Sequence, residues 1–250
     1  MKKTVLITLL IVMALLVAAC NPMSVAVASP GASAPSLGAA ESFVALASST
    51  LTNTGSGTFY GNVGVDPGTA VIGFPPGMVV NGAIHVADAL SLQAQIDANA
   101  AYIDLSGQTC NFDLTSQDLG GMTLQPGVYC FDTSAQLTGA LVLDAMGDPN
   151  AVWVFQIGST LTTASASTVE VINGGEVLNA FWQVSSSATL GTGTRFKGNI
   201  IAYESVTLDT GASLTGRALA LNGAVTMDST GSPIITNTSL FSTYMPIIGR

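Results

Sequence analysis

The feature that most constrains this chain is a short hydroxyl-rich segment that recurs through it. Thr50-Leu51-Thr52, Gln136-Leu137-Thr138, Thr160-Leu161-Thr162, Thr189-Leu190-Gly191, Thr207-Leu208-Asp209 and Thr226-Met227-Asp228 align on a central Leu or Met. The last four centres, Leu161, Leu190, Leu208 and Met227, lie 29, 18 and 19 residues apart, and an aromatic or aliphatic segment precedes each. Self-similarity at such a period marks a repeat fold. An interval of about 18 residues holds three strands of about 4–6 residues and three tight corners, the arithmetic of a parallel β-solenoid of triangular cross-section. The chain is therefore read as mainly β, with each aligned segment one strand of a coil.

Strand side chains alternate, so stacking the coils with Leu and Met inside turns the flanking residues outward. One outer face then carries Thr50 and Thr52, Gln136 and Thr138, Thr160 and Thr162, Thr189 and Gly191, Thr207 and Asp209, and Thr226 and Asp228. Neighbouring rungs of this ladder stand about 4.8 Å apart, and outward residues on one strand about 6.6 Å apart. Threonine offers a hydroxyl and a methyl at a restricted χ1, so an array of them on a rigid sheet can hold water in a repeating pattern. The partner suited to a two-dimensional repeat is another one, a crystal surface or an extended polymer. The bland alternative is that threonine is simply a good exposed strand former.

One helical signal interrupts the strands. Asp88 is a candidate N-cap, Leu92, Ile96, Ala100 and Ile103 recur at helical spacing, and Gly107 can end the element, so a helix is expected over about 88–106 with those four residues on its buried face. Asp97 and Asp104 fall on its solvated side. Strand signals cover 42–65 and 128–228.

Met1-Lys2-Lys3 and the apolar run 5–19 read as a secretory signal, too short and too early for a membrane span. The run ends in Leu16-Val17-Ala18-Ala19-Cys20, which resembles a lipobox and makes Cys20 a lipidation site and the membrane a partner through that lipid only. The alternative is ordinary secretion with cleavage after Ala28. The division of the chain is then a signal peptide at 1–19, a flexible tether at 20–36, a solenoid domain at 37–232 and a C-terminal segment at 233–250. The apolar stretch 241–248 in that last segment is read as an end cap. With Cys20 lipidated, Cys110 and Cys130 remain, and in an oxidising compartment they are most economically a disulfide, closing a loop of about 20 residues and stabilising by about 3 kcal/mol. Two cysteines and one histidine, His85, cannot supply an ordinary zinc site, and no cofactor is expected.

Composition narrows the partners. Only 8% of residues are charged, and removing Lys2 and Lys3 from the six basic residues leaves four against fifteen acidic ones, a net charge of −11. Nucleic acid is excluded as a partner on that balance. Asp209 and Asp228 on successive coils, about 5 Å apart, have the spacing of a retaining glycosidase pair, which keeps a polysaccharide-degrading enzyme as a rival. Such a site also wants basic and aromatic subsites, and Arg195, Lys197 and Arg217 fall on another face. His85 is read as a packing or corner residue, and Trp153 and Trp182 as core or half-exposed packing.

The chain resembles a known family, the microbial ice-binding proteins, over about residues 37–230. The resemblance is carried by Leu37-Gly38-Ala39-Ala40, Gly61-Asn62-Val63-Gly64-Val65, Asp118-Leu119-Gly120-Gly121 and Leu124-Gln125-Pro126-Gly127-Val128-Tyr129. Phe155-Gln156-Ile157-Gly158-Ser159, Phe181-Trp182-Gln183-Val184, Gly198-Asn199-Ile200 and Gly216-Arg217-Ala218 continue it. It implies a discontinuous right-handed β-solenoid with one long α-helix packed alongside, a monomer whose partner is the ice crystal surface, and inhibition of ice growth and recrystallisation. It also implies that one flat face makes the contact, here Thr50, Thr52, Thr138, Thr160, Thr162, Thr189, Thr207, Asp209, Thr226 and Asp228. Asp209, Asp228 and Gln136 interrupt the threonine ladder. The rival binding function is an envelope adhesin for polysaccharide using the same face.

Overall fold

The computed structural model describes residues 31–229 and 234–236. The leader, Cys20 and the apolar stretch 241–248 lie outside the described residues. Alternating short strands and corners wind into stacked coils with three strands each, and the strand pairs between coils run parallel. Three faces result.

The first is a seven-stranded sheet with the spatial order Ala135–Leu137, Leu161–Thr163, Ala188–Leu190, Val206–Leu208, Val225–Ser229, Thr50–Gly55 and Ala70–Ile72. We call it the threonine sheet. The second is buried on both sides and includes Gly127–Phe131, Trp153–Ile157, Ala180–Val184 and Phe43–Ala47. The third includes Ala140–Asp144, Thr168–Ile172, Ile234–Thr236 and Thr58–Tyr60. Arg195–Ala202 and Ser213–Ala220 pass from the third face to the second without a break. They bend where Gly198 and Gly216 pair, both at positive φ; a Cβ on Gly216 would come within 1.9 Å of the Gly198 carbonyl oxygen, so only glycine fits.

The coils are not stacked in chain order. Phe43–Ala47 inserts between Ser213–Ala220 and Asn62–Val65, with Ala45 opposite Ala218, so the first coil of the chain sits on its last. The chain must then return from Ile84–Val86 at one end of the stack to Phe112–Asp113 at the other. An 18-residue helix, Ala89–Ser106, makes that return. Its length of about 27 Å matches the span of the seven strands, about 29 Å. Strands at 70–86 and 112–124, which periodicity did not mark, lie at the two ends of the stack where inward residues are fewest.

Asp88 caps the helix, accepting from the Leu90 and Ser91 amides in a capping box, and His85 Nδ1 lies 2.7 Å from its other carboxylate oxygen. The Ser91 amide foremost, and then His85, hold this carboxyl at about 2. His85 also packs edge-on against Phe43, a packing role. At the other end Gln156 Nε2 donates to the carbonyls of Leu105, in the last turn, and of Gln108, just past the helix. Cys110 and Cys130 form a disulfide that ties the segment after the helix to the adjacent coil.

The buried face of the helix is the reverse of the expected one. Ser91, Ala94, Ala98, Ala101 and Leu105 are buried, while Leu92, Ile96 and Ile103 are 50%, 54% and 60% exposed and Ala100 faces out with them. A helix lying flat on a sheet approaches closely only through small residues, so the alanine stripe wins over the aliphatic one. Asp97 is not simply solvated either: its Oδ2 accepts from the Ala39 amide at 2.7 Å. Ala98→Leu is expected to cost about 1–3 kcal/mol by overpacking, whereas Ile96→Ser stays within about 0.5 kcal/mol. Urea unfolding checks both, and the opposite ranking would mean the aliphatic side is the packed one.

Inside the coils, Tyr129, Phe155 and Trp182 share one register column. Phe112 stacks on Tyr129 at 5.0 Å, Tyr129 on Phe155 at 5.5 Å and Phe155 on Trp182 at 3.8 Å, with Phe196 tilted against Trp182 at 4.8 Å. Trp153 and Trp182 are wholly buried, and their indole N–H groups donate to the Leu124 and Lys197 carbonyls. Burial thus takes aromatic bodies while each polar handle finds a partner.

Candidate functional site

On the threonine sheet the period-2 alternation is clean. Ala135, Leu137, Leu161, Ala188, Leu190, Val206, Leu208, Val225, Met227 and Leu51 point into the core. The residue between each inward pair points out, and the registers place Gln136, Thr162, Thr189, Thr207, Thr226, Thr52 and Ile72 side by side. Five consecutive rungs of this central column are threonine. The fifth, Thr52, comes from the first coil of the chain and extends the column past Thr226.

A flanking column lies at the corner on the helix side. Ser134, Thr160, Ser187, Ser205, Ala224 and Thr50 follow one another there, as the backbone bonds from Ala135, Leu161, Ala188 and Val206 to the carbonyls of Thr160, Ser187, Ser205 and Ala224 require. Thr160 Oγ1 and Ser134 Oγ are 2.9 Å apart, and Ser187 and Ser205 accept from the next coil's amides. Thr138, Asp209, Asp228 and Thr54 border the other side, with Thr54 in register with Asp228.

Two of the aligned segments therefore sit two residues out of the expected register. Thr163 stands where Leu137 and Leu190 stand on its neighbours, and Asn53 where Met227 stands. Both are buried polar residues with their bonds made. Thr163 Oγ1 is 2.8 Å from Thr194 Oγ1 and accepts from the Gly191 amide, and Asn53 donates to the Gly55 and Gly73 carbonyls. A slip of two preserves which side chains face out, so Thr52 and Thr162 come into the central column while Thr50 and Thr160 move to its flank.

The acids lie at the margins. Asp228 accepts a hydrogen bond from Thr210, and Asp209 lies one residue past its strand. At the Gln136 end, Asp118 Oδ1 accepts from the Gly120 and Thr138 amides; burial pushes this carboxyl up, but the hydrogen bonds outweigh it and hold it below the usual range. The cations are elsewhere. Arg195 and Lys197 lie on the third face, where Lys197 pairs with Glu170. Arg217 is 2% exposed on the second face, donating to the Glu41 carbonyl and to Asn199 Oδ1, and burial pulls its guanidinium down to about 10. The central column between these charges is neutral. Among the described residues, no group of three His, Cys, Asp or Glu side chains is placed to hold a metal ion.

Comparisons with known proteins place these stacked coils in a family. The model of the ice-binding-like family matches residues 45–232. The chain belongs to that family. An ice-binding protein of Nostoc sp. (strain HG1) is 55% identical over 199 residues, covering 79% of this chain and 73% of its own. The crystal structure of an ice binding protein from an Antarctic biological consortium superposes with a TM-score of 0.76 at 46% identity, covering 79% of this chain and 90% of that one. That of an ice-binding protein from the Antarctic ascomycete Antarctomyces psychrotrophicus superposes with a TM-score of 0.78 at 40% identity over 82% and 98%.

Within this ice-binding-like domain, the residues singled out in the sequence divide by position. Thr52, Thr162, Thr189, Thr207 and Thr226 come together in one column. Thr50, Thr138, Thr160, Asp209 and Asp228 border it. The serines at 134, 187 and 205 stand outside the leucine-centred segments, each one residue before its strand. Their sequence signal is a serine-rich corner repeat offset from the leucine repeat.

Proposed function

We propose that this chain binds ice through the threonine sheet and acts by adsorption, without chemistry. The observation that carries the reading is the uninterrupted neutral column Thr162, Thr189, Thr207, Thr226 and Thr52 on a sheet of parallel strands. Each rung offers a methyl and a hydroxyl in a fixed rotamer about 4.8 Å from the next. Charged groups would orient their water toward themselves, whereas this column holds water in a repeat set by the backbone. Waters held there merge with the ice lattice, the bound protein pins the growth front, and the surface curves between pinned sites until local growth stops. The flanking hydroxyls of Thr160, Ser187 and Ser205 widen the contact.

The leader and the segment ending in Cys20 support export with a lipid anchor; cleavage after Ala28 would release the same domain. The balance of four basic against fifteen acidic residues beyond Lys2 and Lys3 supports a partner other than nucleic acid. The domain acts as a monomer, since one sheet of one copy supplies the whole column. Partition of the mature protein into a slowly growing ice hemisphere tests the reading: it is expected in the frozen fraction. Recovery in the liquid at the proportion of a non-binding control protein would overturn it.

A further inference from the structure

The chain ahead of the first strand is fixed to the domain as a strap. Gln108, just past the helix, clasps Ser33 twice: its Oε1 accepts from the Ser33 amide at 3.0 Å, and its Nε2 donates to the Ser33 carbonyl at 2.8 Å. Pro35 and Leu37 are buried, and Ala32 packs with Leu37 on the apolar cluster beneath the helix. Residues 31–36, expected to belong to a tether, thus lie along the coils, and their neighbours show where. Pro35 and Leu37 share a hollow with Leu178 and Asn179, which lead into the second-face strand Ala180–Val184. Gly31 shares one with Asn111 and Pro126, which lead into Phe112–Asp113 and Gly127–Phe131. The second-face strands begin at the corner with the third face and end at the corner with the threonine sheet, as Val184 does through Ser185 toward Ala188–Leu190. In a triangular coil the corner between the second and third faces is the one opposite the threonine sheet. The strap occupies that corner and carries the chain about 20 Å along the stack, from Leu37 back to Gly31 at the disulfide end.

We propose, given ice binding by the threonine sheet and the lipid on Cys20, that the strap turns the sheet away from the bilayer, so that the anchored domain attaches a membrane to ice. Eleven residues separate Cys20 from Gly31, and they reach at most about 40 Å. With the strap's corner toward the bilayer, the tether uses a small part of that reach. A face five residues wide is about 17 Å across, so a triangular coil with its outward side chains is about 20 Å deep. Laid sheet down, the domain would hold Gly31 about that far above the bilayer, and the tether would have to pass round a face at half its full extension or more. Stretching a chain to that degree costs conformational entropy, which the upright placement avoids. Were residues 31–36 loose instead, about 20 Å of additional reach would remove the preference.

Charge acts in the same sense. Asp118, Asp209 and Asp228 border the threonine sheet, and anionic headgroups repel a surface edged with carboxylates. An outward sheet is also the placement in which copies on one membrane can engage one ice surface together, and such linked contacts hold far more strongly than a single one. The same adsorption that stops crystal growth when the domain is free then becomes adhesion when it is anchored.

The chain beginning at Cys20 carries one free thiol, because Cys110 and Cys130 are joined, so it can be coupled at its natural anchor point to vesicles of phosphatidylcholine and phosphatidylglycerol bearing a maleimide headgroup lipid. The comparison is Cys20→Ser with Thr192→Cys, which couples the domain through an exposed residue at the edge of the threonine sheet, at the same density per vesicle. Each preparation is offered to a slowly growing ice hemisphere and normalised to the partition of the same protein before coupling. Vesicles held through Cys20 are expected in the ice at about tenfold or more above those held through residue 192. Vesicles held through Cys20 that stay in the liquid, although the uncoupled protein enters ice, would overturn the proposal and leave the ice reading standing. Equal capture through both attachment points would overturn it as well, by showing that the exit point does not set the direction of the sheet. An uncoupled protein that fails to enter ice would remove the ice reading and the adhesion built on it together. In the full chain expressed with its leader, intact mass is expected to show the lipid on Cys20; cleavage after Ala28 would take the anchor away and end the proposal by itself.

Discussion

Tyrosine at Thr189 or Thr207 is expected to lower ice-growth inhibition about tenfold or more, with circular dichroism and melting temperature close to those of the unsubstituted chain. Both positions are interior rungs of the central column, with threonine on either side. A phenol ring there stands above the plane of its neighbours, so it holds the sheet off a flat partner along the whole contact. The fold has no reason to suffer, because the side chain points to solvent and the inward residues Ala188, Leu190, Val206 and Leu208 are untouched. Thr160→Tyr, on the flank, is expected to do less than either, and Thr215→Tyr on the third face nothing. Thermal hysteresis and recrystallisation assays at matched concentration read the ranking. Equal activity in the Thr189, Thr207 and Thr215 variants would mean that another face makes the contact.

That ranking differs from the one the amino-acid pattern alone supports, and the difference has a physical origin. Coil length and the outward direction of the threonines were legible because both rest on simple periodicities, about 18 residues per coil and two per strand. The register is not legible at two coils, because an inward position is ordinarily apolar and at these two coils one of them is polar. Thr163 and Asn53 occupy such positions with their polar groups satisfied by corner backbone and by Thr194, an arrangement visible only in three dimensions. The helix failed differently. Its ends followed from Asp88 and Gly107, but its orientation depends on what it packs against, and a flat sheet prefers Ala94, Ala98 and Ala101 to the bulkier stripe. Non-sequential stacking was hidden in the same way. Nothing in the local pattern at 43–47 says that its neighbour lies at 217–220, although Arg217 in effect marks the junction by reaching the Glu41 carbonyl from a buried site.

The reverse outcome, lost stability with retained binding, is expected of Trp182→Ala. Trp182 is wholly buried, lies nearly parallel to Phe155 at 3.8 Å and 6°, and braces Phe196 on its other side. Removing it opens a cavity in the middle of the aromatic column and leaves the Lys197 carbonyl without its indole donor, at a cost of about 3–5 kcal/mol. For a domain of this size that is a fall in melting temperature of roughly 6–20 °C. A native stability from the middle of the usual range upward, about 10 kcal/mol or more, leaves the variant folded at the temperature of melting ice. The spacing of the threonine rungs is set by backbone hydrogen bonds between coils, which the substitution does not touch, so ice-growth inhibition near 0 °C is expected to remain within about twofold. Differential scanning calorimetry and recrystallisation assays on Trp182→Ala and Thr207→Tyr side by side separate the two roles. A Trp182→Ala protein that melts as before would mean the stacked column adds little beyond ordinary burial. One that stays folded near 0 °C yet loses activity in proportion to its lost stability would mean the flatness of the outer sheet depends on the core beneath it, and not on the ladder alone.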